Sequence, residues 1–341
     1  MKKQGEKVTI KSIAEALGVS FSTVAKALND DPRISEQTKQ LVRQKADEMH
    51  YVRNYFAHSL RHQESYTIAI ILSDIDIPVY GEMITKLSSD LAELGYTTIV
   101  SSPSFSEEAE RNCIQSVLTR MPKAVIISPA HASSENVKLL EVMYGNTLIL
   151  GEPDRSIRAN RLSVGHRHAG YLSASHMLEN GRQNNLILCG LPKYQSSHLF
   201  YQGVLDAYKE HGLAVDENMV SWFRPNEQDS YRRIMEVWAD APRSFDGVIC
   251  FCDTMAYGVY RAARELGLSV PEDISVIGYD DNPTNDFTAP PLTSIHVPKD
   301  LLAQYCTEFA RSCVESDDRP LYEKALQPIL ARRGSVCKKE N

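Results

Sequence analysis

Apolar residues recur at steps of three and four in three short stretches near the N-terminus, and in short β-branched runs from residue 67 onward. Ile10, Ile13, Ala14 and Leu17 follow Thr9, a suitable N-cap, until Gly18 breaks the pattern, which predicts one short helix. Ser20 can cap a second helix whose Val24, Ala27 and Leu28 form an apolar stripe, leaving Phe21, Ser22, Thr23 and Lys26 outward. Ser35 can cap a third, with Thr38, Leu41, Val42, Lys45, Ala46 and Met49 at helical spacing, closing a small all-α core with helix-turn-helix spacing.

Beyond residue 66 the period changes. Apolar runs at Thr67–Ser73, Thr97–Ser101, Ala124–Ser128 and Thr147–Leu150 alternate with helical stretches, and the rhythm repeats at Leu186–Cys189, Val248–Phe251 and Ile274–Gly278. Such βαβ alternation predicts two parallel sheets, hence a two-lobed α/β body. Pro290-Pro291-Leu292-Thr293-Ser294-Ile295 begins a return crossing, and a helix near Asp300 to Val314 should pack back on the first lobe. The expected domains are a head at 8–53, a linker at 54–65 and a body at 66–341. Its first lobe takes about 66–161 and 293–322, its second about 162–290 and 323–336.

Composition narrows the class. With 43% hydrophobic and 24% charged residues and no apolar run long enough to cross a bilayer, the 341-residue chain reads as a soluble globular protein. The basic start, Met1 to Lys7, is followed by no apolar leader region, so a cytosolic location is expected. The seven cysteines lack CxxC or zinc spacing and read as reduced core residues, with strand alternation sending Cys250 and Cys252 to opposite faces. Charge is uneven: residues 1–62 hold eleven Lys and Arg against seven Asp and Glu, a surplus of +4, so with −7 in total the rest carries −11. Nucleic acid, if bound, meets the basic head. A cation, an aromatic ring and hydroxyls on one exposed helix face suit base edges and phosphates in a major groove. Helical bundles without DNA partners show the same spacing.

The run from Val8 to Asn29, with Ile34-Ser35 through Tyr51-Val52, closely resembles the signature of the LacI family of transcription regulators. That resemblance implies that Phe21, Ser22 and Lys26 read bases, and that Ser20, Thr23, Asn29 and Arg33 lie at or near the phosphate backbone. Lys26 stands where the family usually has Arg, so the bidentate fork to guanine is lost while an ammonium still reaches its acceptors. Residues 54–62 fall where the family forms a hinge helix on the operator. There Leu60 matches the leucine wedged into the minor groove, so Leu60 and Ala57 would act through shape readout, and Asn54 is a further DNA-binding residue. The family's proline before the hinge is replaced by Arg53. His58 and His62 stand four residues apart, but with no third ligand evident they read as a solvated or DNA-facing pair, and no metal is expected.

The body resembles the periplasmic-binding-protein type I core of LacI-type regulators, most clearly at Val270 to Asp281 and Pro290 to Ile295. In such cores ligands bind between the lobes at the C-terminal ends of strands. Sugar-responsive relatives place an Arg, an Asn-Asp pair, an Asp and a polar residue where this chain has Phe200, Cys252-Asp253, Asp280 and Val297. Losing the Arg and Asn removes directed hydrogen bonds of about 1 kcal/mol or more each when buried, which argues against a simple hexose. Tyr80, His166, Phe200, Cys252, Asp253 and Asp280 are the candidate effector residues, Asp280 alternatively capping the turn at Asp281-Asn282-Pro283.

No GxSxG, Walker, GxGxxG or HExxH motif is present, so neither an enzyme nor a cofactor is expected. The resemblance implies a DNA-binding regulator, more readily a repressor, acting as a homodimer on a near-palindromic operator under a small-molecule effector; a tetramer is left open, and no membrane is involved. The alternative is a DNA-binding regulator controlled by a protein partner or by abundance, without such an effector.

Overall fold

A computed structural model describes residues 8–51, 65–75, 77–130, 135–143, 145–152, 159–316 and 320–339. The chain divides into two compact units, residues 1–64 and 65–341, each considered by itself.

In the first unit α1 (Ile10–Leu17), α2 (Phe21–Leu28) and α3 (Glu36–Glu48) begin at the expected caps. The Thr9 hydroxyl accepts from the Ser12 amide while Ser12 answers the Thr9 amide, and Ser20 and Ser35 accept from Thr23 and Thr38. Gly18, at φ 69°, ends α1 in the left-handed conformation that closes the tight turn. Ile13, Val24, Ala27, Val42 and Ala46 form the core. One expectation fails: Leu41 is 51% exposed, whereas Lys39, on the helix face of Val42 and Ala46, is buried. The Lys39 stem covers the core while its ammonium pairs with Asp30 at 3.0 Å and Glu36 at 2.7 Å.

The second unit holds two six-stranded sheets. The first is ordered β11 (Glu323–Ala325), β5 (Asn160–Ser163), β4 (Thr147–Leu150), β3 (Ala124–Ser128), β1 (Thr67–Leu72), β2 (Thr97–Ser101). The second runs β12 (Ile329–Ala331), β10 (Thr293–His296), β9 (Ser275–Asp280), β8 (Gly247–Cys250), β6 (Asn185–Cys189), β7 (Val220–Trp222). Every pairing is parallel except β10 with β12. The helices are α4 (Pro78–Glu93), α5 (Glu107–Leu118), α6 (Glu135–Met143), α7 (His166–Glu179), α8 (Gln195–Glu210), α9 (Glu227–Asp240), α10 (Asp253–Leu266) and α11 (Lys299–Glu315).

The central strands are unbroken apolar runs because both faces are covered. In β1, Ile68, Ile70 and Leu72 enter one apolar cluster, Ala69 and Ile71 another. Sheet membership places the crossings between lobes after Ser163, after His296 and between Ala325 and Ile329, each a few residues beyond the expected positions. At the first crossing Gly165 has φ +78°, and a Cβ there would lie 2.8 Å from Pro328 of the third, so only glycine lets these two segments touch.

α7 and α8 approach as closely. A Cβ on Gly170 would fall 1.9 Å from the Phe200 carbonyl oxygen, and one on Gly203 would fall 1.8 Å from that of Arg167.

Candidate functional site

The head presents α2 outward. Phe21 is 52% exposed, Ser22 and Asn29 are exposed, and Lys26 is half-buried on the same helix. Ser20 and Thr23 share the N-cap, their hydroxyls 2.9 Å apart. Arg33 is exposed and folds back on Asp31, its Nε and Nη2 donating over 2.9 and 2.7 Å, so its guanidinium is held in one orientation with other N–H groups to spare. This pairing holds the Asp31 carboxyl well below the usual range. The structure thus gathers Ser20, Phe21, Ser22, Thr23, Lys26, Asn29 and Arg33 on or beside α2. Asn54, Ala57, Leu60 and the His58–His62 pair lie outside the described residues.

In the body a cavity of about 460 Å³ opens at the C-terminal ends of strands from both sheets. Of the six candidates, Tyr80, His166, Cys252 and Asp280 line it, as do Gly151 and Val297. Phe200 and Asp253 stand one layer back. Phe200 is fully buried, stacked 5.8 Å from Tyr279 and edge-on 5.4 Å from Phe251, so it supports the wall rather than forming it. Asp253 is also fully buried, accepting from the Asn282 amide at 2.7 Å, Asn285 Nδ2 at 2.8 Å and Ser294 Oγ at 2.6 Å. Burial pushes its carboxyl up to about 6.

That lock positions the cavity floor. Asp280 ends β9 at φ 117° and Asp281 follows at φ 54°, values costly for residues other than glycine. Asp253 holds the chain just beyond, Ser294 accepts the Asp281 amide at 3.1 Å, and the Asp281 carboxylate is gripped by Arg333 at 2.7 Å and His296 at 2.8 Å. So constrained, Asp280 faces the cavity, and burial, reinforced by Asp253, pushes its carboxyl well above the ordinary value. Tyr80 shares a hydrogen bond of 2.7 Å with Ser128. His166 Nδ1 shares one of 2.9 Å with the Tyr279 hydroxyl.

Burial also lowers His166 to about 4. Its imidazole is therefore neutral at pH 7. Because the folded value is depressed, this residue's contribution to stability is complete above pH 6.5 and is lost as pH falls from there toward 4. Discounted for the cavity's access to solvent, the loss should reach about 1 kcal/mol at pH 5. Denaturant titrations at pH 7 and 5 should show this loss, and H166Q should remove it; an equal loss in H166Q would contradict it.

Sequence reasoning missed several walls. Phe251 and Tyr279 line the cavity at strand ends, where position alone could have flagged them. Asp74 after β1 and Arg224 after β7 pair across the two lobes at 2.6 Å, and beside them Phe105 meets Tyr194 edge-on at 4.7 Å. Nothing in the sequence pattern marked this closure. β8 ends at Cys250 and Cys252 caps α10, so strand alternation does not reach Cys252; both thiols lie in one apolar cluster, and burial raises both. Among the described residues no group of three His, Cys, Asp or Glu could hold a metal ion, and no helix is long and apolar enough to cross a membrane.

Residues 9–54 match the family model of bacterial regulatory proteins of the lacI family, and residues 174–336 match that of a periplasmic binding protein-like domain. The HTH-type transcriptional regulator GalR of Escherichia coli (strain K12) is 27% identical over 338 residues, covering 96% of this chain and 95% of that protein. The HTH-type transcriptional repressor PurR of Pasteurella multocida (strain Pm70) is 27% identical over 333 residues, covering 96% and 98%. Among solved structures, a Lacl family transcriptional regulator from Silicibacter pomeroyi superposes with a TM-score of 0.87 at 18% identity, over 97% of this chain and 99% of that one. The lac repressor dimer bound to operator and the anti-inducer ONPF does so at 0.83 and 22%, over 97% and 100%. These relatives are regulators, not enzymes, and with its lacI-type head and periplasmic-binding-protein-like body the chain is a DNA-binding transcription regulator of the LacI family.

Proposed function

We propose that the protein is a cytosolic, homodimeric repressor that reads a near-palindromic operator and releases or grips it according to a small molecule held in the body. The carrying observation is the pairing, in one chain, of an exposed, capped α2 bearing Phe21, Ser22 and Lys26 with a ligand-sized cavity at the strand ends. Phe21, Ser22 and Lys26 read base edges, while Ser20, Thr23, Asn29 and Arg33 fix the register on phosphates. Asn54, Ala57 and Leu60 belong to the hinge that bends the duplex. Tyr80, His166, Cys252 and Asp280 contact the effector, backed by Phe200 and Asp253. A ligand that favours one arrangement of the lobes shifts operator affinity by a coupling of about 1 to 3 kcal/mol.

Dimerisation belongs to the body. Phe287 is 87% exposed at the end of a short 3₁₀ turn, Pro283–Phe287, where Arg333 holds Asp286 at 2.7 Å and Tyr257 holds Asn285 at 2.9 Å. A rigidly presented exposed phenylalanine suits a two-fold interface. F287E should weaken self-association about tenfold by sedimentation analysis, with the melting temperature kept; unchanged association would remove that role.

The test of the whole reading is operator binding across salt. Neutralising six or more phosphates should lose about a thousandfold in affinity between 50 and 200 mM salt. A flat profile would favour a weakly DNA-contacting protein governed by a partner.

A further inference from the structure

The charges around the cavity say what kind of effector it takes. Of the described lining residues only Arg224 is a lysine or arginine, and its guanidinium is held by Asp74 at 2.6 Å. His166 is neutral. Among the described lining residues the Arg224 charge is thus offset by Asp74, and the further carboxyls of Glu152 and Asp280 leave an anionic effector no surplus of positive charge to meet. Asp280 is more than nine-tenths buried, and its Oδ2 has no hydrogen-bond partner among the described residues. A buried carboxyl oxygen without a partner is costly, and it is tolerated here by a locked and strained turn.

Next to it three rings converge. His166, Phe251 and Tyr279 lie with centroids 5.8 to 6.3 Å apart, and Tyr279 immediately precedes Asp280 in β9. Aromatic faces beside a carboxyl form a site in which a desolvated cation is attracted by both.

We infer that the effector is an organic monocation, a primary or secondary ammonium that pairs with Asp280 while its apolar body rests against Phe251 and Tyr279. The inference rests on the proposed reading that a small molecule occupies this cavity. Every charged neighbour of Asp280 bears on its charge. Asp253 on α10 and Glu82 on α4 oppose ionisation, and Lys299 on α11 favours it. Lys299 is itself tied to Glu82 at 2.7 Å and to the Asp281 carbonyl at 3.2 Å. Burial and these neighbours thus bias the Asp280 carboxyl toward its neutral form in the empty cavity, whereas an arriving ammonium favours ionisation, so binding is expected to be accompanied by proton release.

The test uses the full-length protein and a series of arylalkyl amines such as 2-phenylethylamine, with the matched alcohols and carboxylates. Common sugars and nucleosides are the remaining probes. Thermal unfolding should shift upward, saturably, with amines alone, and calorimetry in buffers of different ionisation enthalpy should show the proton leaving. D280N keeps the shape and tolerates the positive φ, so it should melt at or above the parent temperature while binding the amine at least tenfold more weakly. Equal stabilisation by the alcohols, stabilisation by a sugar or nucleoside instead, or an undiminished amine shift in D280N would overturn the cation assignment while leaving a small-molecule effector in place. No shift with any probe would overturn both.

Discussion

Replacing Gly203 by alanine is expected to destabilise the body by about 3 kcal/mol or more, lowering its melting temperature by at least about 6 °C. The added Cβ would stand 1.8 Å from the Arg167 carbonyl oxygen and 2.7 Å from the Tyr171 amide nitrogen. Both are backbone atoms of α7, so no side-chain rotamer relieves the clash and the helices must separate. α8 carries Phe200, which supports Phe251 and Tyr279, so separation would also loosen the cavity wall. Differential scanning calorimetry of G203A reads the effect directly. A melting temperature within a degree of the parent would show that α7 and α8 are not so closely apposed. G212A is the control: Gly212 sits after α8 at φ 69° with no atom near a Cβ, and only the modest backbone strain should appear.

K26A is expected to weaken operator binding by about 1 to 3 kcal/mol, roughly 6- to 150-fold, with little change on random DNA. Lys26 lies near the end of α2, outside the Ile13–Val24–Ala27 core, so the substitution would remove the proposed base contact without opening a cavity. Alanine is also the best helix former, which protects the fold. Fluorescence anisotropy on the operator and on a scrambled duplex separates the outcomes: equal loss on both would mean that Lys26 serves phosphates rather than bases. K26R should bind at least as well as the parent, since its fork can engage both guanine acceptors.

Much of this architecture was legible because local chemistry and global packing agree. Thr9, Ser20 and Ser35 cap their helices as their spacing implies, and the apolar runs of β1, β3, β6 and β8 are strands covered on both faces. β7, β11 and β12 escaped because each spans only three residues, too short for a period to register. Lys39 joins the core face unexpectedly because a long aliphatic stem can cover a core when its ammonium finds carboxylates.

The site was legible only in part, for a different reason. Asp280, Tyr80, His166 and Cys252 could be placed at strand and helix ends by the resemblance, and they do meet around the cavity. Phe200 takes the place of a longer polar residue, and an aromatic ring on that helical turn stops against Tyr279 before reaching the opening. Asp253 looks like a ligand contact in sequence, yet three donors consume its carboxylate. The pair of Asp74 with Arg224 joins residues 150 positions apart from loops with no periodic signature, so only the three-dimensional arrangement reveals it.

The central claim, that this chain recognises a specific operator, is most directly tested by incubating the purified protein with sheared genomic DNA and sequencing the retained fragments. The account predicts enrichment of fragments sharing one inverted repeat, with half-sites about one helical turn apart. Retained fragments with no common repeat, at low as well as moderate salt, would contradict it.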